Sequence, residues 1–210
     1  MRNSPVPALP FIVAPGVLIP RQDTESLVEW VLQEEKLLRG NTVLDVCAGS
    51  GCIGLSLARL GGCRVTLSDL SETARDIIEK NREALDLTDR TEIYRGDLFD
   101  GLPAGQRYDV IVSNPPYIAS RELETLQAEV REYEPRMALD GHEDGLYFYR
   151  RLAQEAPVRL VPGGRIYLEI GWDQGDSVPE LLQAAGFSQV EVRRDLAGQN
   201  RVVRGVYGDV

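Results

Sequence analysis

The sequence predicts an α/β protein with one mostly parallel sheet of seven strands, helices on both faces and a terminal antiparallel hairpin. Short apolar runs alternate with stretches of helical periodicity, which is typical of a parallel sheet covered on both sides. The connection between the last two apolar runs, 189–194 and 201–207, is too short for a helical crossover and predicts antiparallel strands. The length of 210 residues suits one such domain.

The predicted elements follow the chain in order. Asp23 or Thr24 is expected to cap a helix whose apolar residues, from Leu27 to Leu32, recur at helical spacing. Ser71 is the expected cap of the third helix. The predicted strands are 42–47, 64–68, 91–95, 108–113, 165–170, 189–194 and 201–207, and the further helices are 52–60, 71–85, 120–130, 145–160 and 175–185.

Proline divides the chain into two parts. Residues 1–20 carry five of the twelve prolines, and proline favours extended backbone both at its own position and at the preceding one. We therefore expect an extended lead-in or a severed linker at 1–20 and the folded domain at 21–210.

Composition excludes several classes of protein. The net charge of −10 disfavours a general nucleic-acid binder, which needs basic surface. The sequence contains no apolar run near the roughly 18 residues of a membrane span, and its start lacks the apolar core of a signal peptide, so a cytoplasmic protein is expected. Three cysteines at spacings unlike those of zinc sites, with one histidine, predict buried thiols and no metal site.

A glycine-rich turn follows the first strand. Gly49, Gly51 and Gly54 form a G-x-G-x-x-G pattern, and Asp69 ends the next strand. Such a turn lets a ligand approach the backbone, and the acid can bind ribose hydroxyls, which fits a dinucleotide or S-adenosylmethionine (AdoMet). Asp45, just before the turn, disfavours a pyrophosphate and suits a ligand with an amino group and a sulfonium. Capping of local amides is the alternative for Asp45.

The third strand is followed by Asp97 and Leu98. At the carboxyl edge of the sheet, a carboxylate can accept a hydrogen bond from an adenine amino group while Leu98 packs against the ring. A simple turn residue is the alternative for Asp97.

The fourth strand runs into Asn114-Pro115-Pro116-Tyr117. Two prolines stop the strand and stiffen the backbone, at the edge where open α/β sheets bind ligands. A turn alone accounts for the prolines, but it does not account for an amide and an aromatic ring placed together. This motif is therefore the predicted catalytic and substrate-binding site.

These motifs resemble those of AdoMet-dependent methyltransferases that act on planar amide or amino nitrogens. The resemblance is closest to the protein-(glutamine-N5) methyltransferases that modify bacterial class I peptide chain release factors. The matching segments are 16–21, 23–25, 43–45, 49–51, 111–118, 133–135, 138–139, 144–146, 169–171, 174, 195–198 and 201–203. The resemblance implies a class I AdoMet-dependent methyltransferase (Rossmann-like) fold with the catalytic domain at 21–210. The family usually has a helical domain before the catalytic one, and we expect it to be missing here, either by truncation, which the Pro-rich start favours, or because the protein dispenses with it.

The resemblance also implies a cofactor, a partner and site residues. The cofactor is AdoMet, with S-adenosylhomocysteine as product, and the partner is a class I release factor. The enzyme is expected to be a monomer that binds neither nucleic acid directly nor a membrane. Asn114, Pro115 and Tyr117 are the expected catalytic residues, and Asn114, Pro115, Pro116 and Tyr117 the expected substrate-binding residues. The expected cofactor-binding residues are Asp45, Cys47, Ala48, Gly49, Ser50, Gly51, Asp69, Asp97, Leu98 and Asn114.

The sequence departs from the family at Cys47-Ala48, where Gly-Thr is usual, a change that contacts made through the backbone should survive. Two other functions remain open at this point. A methyltransferase acting on exocyclic amino groups of DNA or RNA bases would use the same acceptors at Asn114 and Pro115. A nicotinamide-dependent oxidoreductase fits the glycine spacing alone.

Overall fold

A seven-stranded mixed sheet forms the centre of the protein, in the order β3-β2-β1-β4-β5-β7-β6. The computed structural model describes residues 9–35 and 40–208. The strands are β1 (Thr42–Val46), β2 (Arg64–Asp69), β3 (Thr91–Arg95), β4 (Tyr108–Ser113), β5 (Leu160–Glu169), β6 (Phe187–Arg194) and β7 (Asn200–Tyr207). Strands β1 to β5 pair in parallel, and β7 is antiparallel to both β5 and β6. The predicted fold class is confirmed.

Helices cover both faces of this sheet because its strands are apolar on both sides. Val110 and Val112 belong to one core with α1 and α2, whereas Ile111 between them belongs to the opposite core with α6 and α7. The helices are α1 (Glu25–Glu35), α2 (Cys52–Gly61), α3 (Glu72–Ala84), α4 (Ala128–Tyr133), α5 (Arg136–Leu139), α6 (Tyr147–Glu155) and α7 (Ser177–Ala184). Within the described part of the chain, no helix is long and apolar enough to cross a membrane.

The strand order reverses between β1 and β4. The chain moves outwards from β1 through β2 to β3 and then returns to place β4 on the other side of β1. Such a reversal opens a crevice at the carboxyl ends of the two central strands. The glycine turn after β1 and the Asn-Pro-Pro-Tyr turn after β4 are therefore neighbours.

Two predicted helices differ from the observed ones. The helix predicted at 120–130 is a 3-10 helix, Ser120–Thr125, followed by α4, and α5 was not predicted. The helix predicted at 145–160 ends earlier, in a 3-10 turn that contains Pro157. Strand β5 then begins at Leu160, before its predicted start. Its pairing with β4 is irregular around Gly163, whose backbone is in the left-handed region.

The lead-in is packed against the domain where the structure describes it. Residues 9–20 form neither helix nor strand, and residues 1–8 of the predicted lead-in lie outside the described residues. Ile12 exchanges two hydrogen bonds with the Asn81 side chain, at 2.7 and 3.0 Å. Val17 is buried with Ala74 and Ile77 of α3. The segment therefore forms part of the wall beside the crevice.

Candidate cofactor and substrate site

An open cavity of about 950 Å³ lies at the carboxyl ends of the central strands. The turns after β1 and β4 and the ends of β2 and β3 form its floor, while the lead-in and residues 135–138 form the rest of its wall. The predicted site residues that line it are Cys47, Ala48, Gly49, Ser50, Asp69, Asp97, Leu98, Asn114 and Pro116. Open α/β sheets bind their ligands in a crevice at this edge.

The turn after β1 is shaped by left-handed backbone. Gly49 and Gly51 have φ values of 57° and 78°, and Cys47 adopts φ 58° although it is not glycine. Asp69 stabilises this shape, because its Oδ2 accepts from Gly49 N and its Oδ1 from Ser71 N, both at 2.8 Å. Burial raises the pKa of Asp69. The carboxylate also borders the cavity, where its remaining lone pairs can accept from ribose hydroxyls.

The neighbouring turn residues are bound through their backbone. Ala48 N donates to Ser68 O at 3.1 Å, and Ser50 O accepts from the Asn81 amide at 2.9 Å. Side-chain identity therefore matters less at Ala48 than backbone conformation does. Ser71 caps α3 as predicted, with its hydroxyl accepting from Ala74 N.

Asp45 lies beneath the turn and is absent from the lining of the cavity. Its side chain is fully buried, and its Oδ2 accepts from Gly54 N at 2.8 Å. Its Oδ1 has no hydrogen-bond partner among the described residues. Burial raises the pKa of Asp45 to about 7. This geometry is that of the amide cap, the alternative for Asp45, and its role in cofactor binding stays a prediction.

Asp97 borders the cavity and is paired with a residue far along the chain. Arg151 of α6 donates from Nη1 to Asp97 Oδ2 at 2.7 Å and from Nε to Glu155. Leu98 is buried, and its backbone is in the left-handed region. Its carbonyl accepts from the Ser68 hydroxyl. The sequence offers no local sign of Arg151, which lies 54 residues from its partner.

The turn after β4 places Asn114 and Pro116 on the cavity, whereas Pro115 and Tyr117 are not among the residues that line it. The Ser113 hydroxyl joins the end of β4 to β1 by donating to Val46 O at 2.6 Å. Tyr117 O accepts from the Gln174 amide, and burial raises the pKa of the Tyr117 hydroxyl to about 12.

A buried carboxylate ends the strand next to β4. Glu169, at the end of β5, is 2% exposed, and its Oε2 accepts from the Thr24 hydroxyl at 2.7 Å. Ser113 of β4 pairs with Leu168 of β5, so Asn114 and Glu169, the next residue of each strand, are neighbours, and the Asn114 side chain acts to lower the pKa of Glu169. Burial raises the pKa of Glu169 to about 7, although the Thr24 hydroxyl and Arg201 also act to lower it. The sequence assigned no role to Glu169, and it offered Thr24 only as a possible cap of the first helix.

Glu134 joins the end of the lead-in, and Arg21 directly after it, to the opposite wall of the cavity. Arg21 Nη2 lies 2.9 Å from Glu134 Oε1, and Ile19 N donates to Glu134 Oε2 at 3.3 Å. Glu134 is buried and directly precedes the segment 135–138 that lines the cavity. The two walls are thus held together above the floor.

Other conspicuous side chains lie away from the cavity lining. Trp30 is buried in the core against Tyr167, and His142 is exposed beside Tyr147. Trp172 is 63% exposed. Within residues 9–35 and 40–208, no group of three or more His, Cys, Asp or Glu side chains could hold a metal ion.

The sheet order and the two turns define a class I methyltransferase. The family model for the methyltransferase small domain matches residues 21–142. A methyltransferase from Pyrococcus furiosus superposes with a TM-score of 0.68 over 95% of this chain and 89% of its own, at 19% identity. A Thermus thermophilus 16S rRNA N2 G1207 methyltransferase, solved with AdoMet and guanosine, gives 0.62 over 90% and 44%, at 21% identity. At these identities the likeness concerns the fold alone.

Sequence relatives narrow the assignment. The chain is 46% identical over 202 residues to the release factor glutamine methyltransferase of Clostridium acetobutylicum, covering 95% of this chain and 71% of that protein. It is 45% identical over 198 residues to the protein of the same name from Bordetella pertussis, covering 93% and 72%. The chain belongs to the release factor glutamine methyltransferase family.

Proposed function

We propose that this protein transfers a methyl group from AdoMet to the side-chain nitrogen of the glutamine in the Gly-Gly-Gln motif of a class I release factor. The observation that carries the proposal is the Asn114 amide, which borders the cavity beside the glycine turn. Membership of the family supports this substrate over a nucleic-acid base.

The cavity has the chemistry that AdoMet requires. Asp69 and Asp97 offer carboxylate oxygens at the ends of β2 and β3, while Ile53, Leu70 and Leu98 supply apolar walls. These groups would bind ribose hydroxyls, an adenine amino group and the adenine ring. When bound, AdoMet supplies an electrophilic methyl group on a sulfonium.

The protein's own contribution is orientation. A carboxamide nitrogen is a poor nucleophile because its lone pair is delocalised, so its approach to the methyl carbon must be fixed. The Asn114 side-chain oxygen and the Pro115 carbonyl accept the two amide hydrogens of the substrate, and these bonds strengthen as positive charge develops on nitrogen. Methyl transfer would form the N–C bond as the S–C bond breaks, with S-adenosylhomocysteine leaving as a neutral thioether and one proton passing from the nitrogen to solvent. Tyr117 closes the substrate side as a flat wall.

Mass spectrometry of a class I release factor, after incubation with this protein and AdoMet, tests the proposal. The expected product carries one additional methyl on the glutamine of Gly-Gly-Gln, and a factor with Asn at that position is the matched control. An unmodified factor, or methylated RNA or DNA in a parallel incubation, would contradict the proposal. Methylated nucleic acid would favour the base-modifying alternative.

A further inference from the structure

Glu169 and Asn114 directly follow the paired residues Leu168 and Ser113, which makes Glu169 the neighbour of the side chain whose oxygen must face the substrate in the proposed mechanism. We propose that Glu169 is a positioning residue: its carboxylate accepts from the Asn114 amide nitrogen and thereby turns the amide oxygen of Asn114 towards the substrate. The final clause rests on the proposed function, whereas the contact between Glu169 and Asn114 does not.

The need for such a residue follows from the shape of the Asn side chain. Its oxygen and its NH₂ group exchange places when the terminal torsion turns by half a revolution, and only hydrogen-bond partners distinguish the two states. With the NH₂ group towards the cavity, Asn114 would present donors to the donors of the substrate amide. An ionised carboxylate accepts only, so it selects the NH₂ group of Asn114 and leaves the oxygen facing outwards.

Glu169 is itself fixed by three separate parts of the fold. The Thr24 hydroxyl, just before α1, donates to Oε2 at 2.7 Å. The Glu169 carbonyl accepts from the Tyr149 hydroxyl of α6 at 2.8 Å, and its backbone pairs with Val202 of β7. A carboxylate held in this way and 2% exposed has few alternative rotamers, so it can impose an orientation on its neighbour.

The protonation state of Glu169 can be changed by pH, which allows the proposed contact with Asn114 to be tested. Burial raises the pKa of Glu169 to about 7. Above that pH the carboxylate accepts from Asn114; below it the carboxyl group also has a proton to donate, and the selection for one amide orientation weakens. The titratable groups that interact electrostatically with Glu169 are Asp23, Cys52, Tyr117, Tyr149 and Arg201.

The test follows the side-chain NH₂ signals of Asn114 by NMR in the ¹⁵N-labelled free protein, identified by their loss in Asn114→Ala. In the wild type the signals should shift with a midpoint near the pKa of Glu169. In Glu169→Gln they should persist without that titration, since glutamine keeps an acceptor but does not ionise. In Thr24→Val the midpoint should rise, because the ionised carboxylate loses one donor. The contact would be refuted if the Asn114 signals of the wild type do not shift with pH, or if those of Glu169→Gln shift with pH in the same way.

Kinetics then tests the consequence. Glu169→Leu removes the acceptor, and turnover should fall about 10²-fold while affinity for AdoMet changes little. Glu169→Gln carries a donor, as the protonated carboxyl group does, so its turnover should be near the level that the wild type reaches at acidic pH and should not depend on pH through this residue. A folded Glu169→Leu variant with wild-type turnover, or an equal loss of cofactor affinity, would refute positioning. If Glu169→Leu does not fold, a Glu169→Gln variant that keeps the acidic loss would refute it. A wild-type protein that shows the titration but leaves the release factor unmodified would instead refute the proposed function.

Discussion

The two turns at the centre of the sheet are built in different ways. The turn after β1 takes its shape from left-handed residues and from carboxylates that accept from its amides, as Asp69 does at Gly49 and Asp45 at Gly54. The turn after β4 is held by a side chain from outside it, Gln174, whose amide donates to Tyr117 O, and it lies beside Glu169 of the neighbouring strand. The first turn presents backbone to a ligand, and the second presents a functional group.

This difference indicates which property each turn controls. A backbone surface tolerates changes of side chain as long as the conformation is kept, as at Cys47, where the residue departs from the family but the turn is formed. When a side-chain amide is removed, no other group in the turn takes over its hydrogen bonds to the substrate. Changes at the first turn should therefore alter cofactor affinity, and changes at the second should alter turnover.

The largest expected effect is on turnover, in Asn114→Ala. Removing one acceptor of a preorganised site should lower kcat by about 10²–10³-fold, or roughly 3–4 kcal/mol. Affinity for AdoMet, measured by calorimetry, should fall far less, because Asp69 and the glycine turn are unchanged. Equal losses of affinity and turnover would make Asn114 chiefly a cofactor ligand and would remove the contrast between the turns.

Asn114→Asp sharpens the same prediction. The aspartate would keep an acceptor, but it would place a second carboxylate beside the buried Glu169 and remove the NH₂ group between them. We expect a loss of turnover at least as large as in Asn114→Ala, together with a lower melting temperature. Turnover well above that of the alanine variant would indicate that acceptance alone matters.

The next effect is on affinity, in Asp69→Ala. This change removes the acceptor for Gly49 N and for the expected ribose hydroxyls. The loss of a charged hydrogen bond of about 1.5–3 kcal/mol should raise the Kd for AdoMet roughly 10- to 100-fold. Glu72→Gln, at an exposed acid in the first turn of α3, is the control and should bind as the wild type does. Unchanged AdoMet binding in Asp69→Ala would show that the cofactor does not bind to this carboxylate.

A smaller effect is expected at the ion pair between the cavity walls. Glu134→Ala removes the acceptor for Arg21 and for Ile19 N. Hydrogen exchange at the Ile19 amide should become roughly 5- to 30-fold faster, which corresponds to about 1–2 kcal/mol. Glu132→Ala, at an exposed acid two residues earlier in α4, should leave that amide unchanged. Equal exchange in the two variants would mean that the walls are held by other contacts.

The elements that local sequence determines were predicted well. The glycine turn, the Ser71 cap and the antiparallel end of the sheet depend on residues near one another in the chain. The partners of Asp97 and Glu169 were not predicted, since Arg151 and Thr24 are 54 and 145 residues away from them and leave no periodic signal. For Asp45, charge alone left two roles open, because burial beneath the turn is a property of the packed helix and sheet.

The smallest effect is expected at Cys47, and it tests whether the first turn acts through its backbone. A non-glycine residue at φ 58° is strained by about 1–2 kcal/mol, which Cys47→Gly relieves. Glycine also destabilises the folded state, by about 0.4–1 kcal/mol through the greater entropy of the unfolded chain, and it loses the packing of a half-buried thiol. The net change in unfolding free energy should therefore be about 1 kcal/mol or less. AdoMet affinity should stay at the wild-type level in the same calorimetry. Cys47→Val, with a β-branched side chain that suits positive φ poorly, should be less stable than either. A Cys47→Gly variant that binds AdoMet as weakly as Asp69→Ala would show that this side chain contacts the cofactor, and that the first turn does not act through its backbone alone.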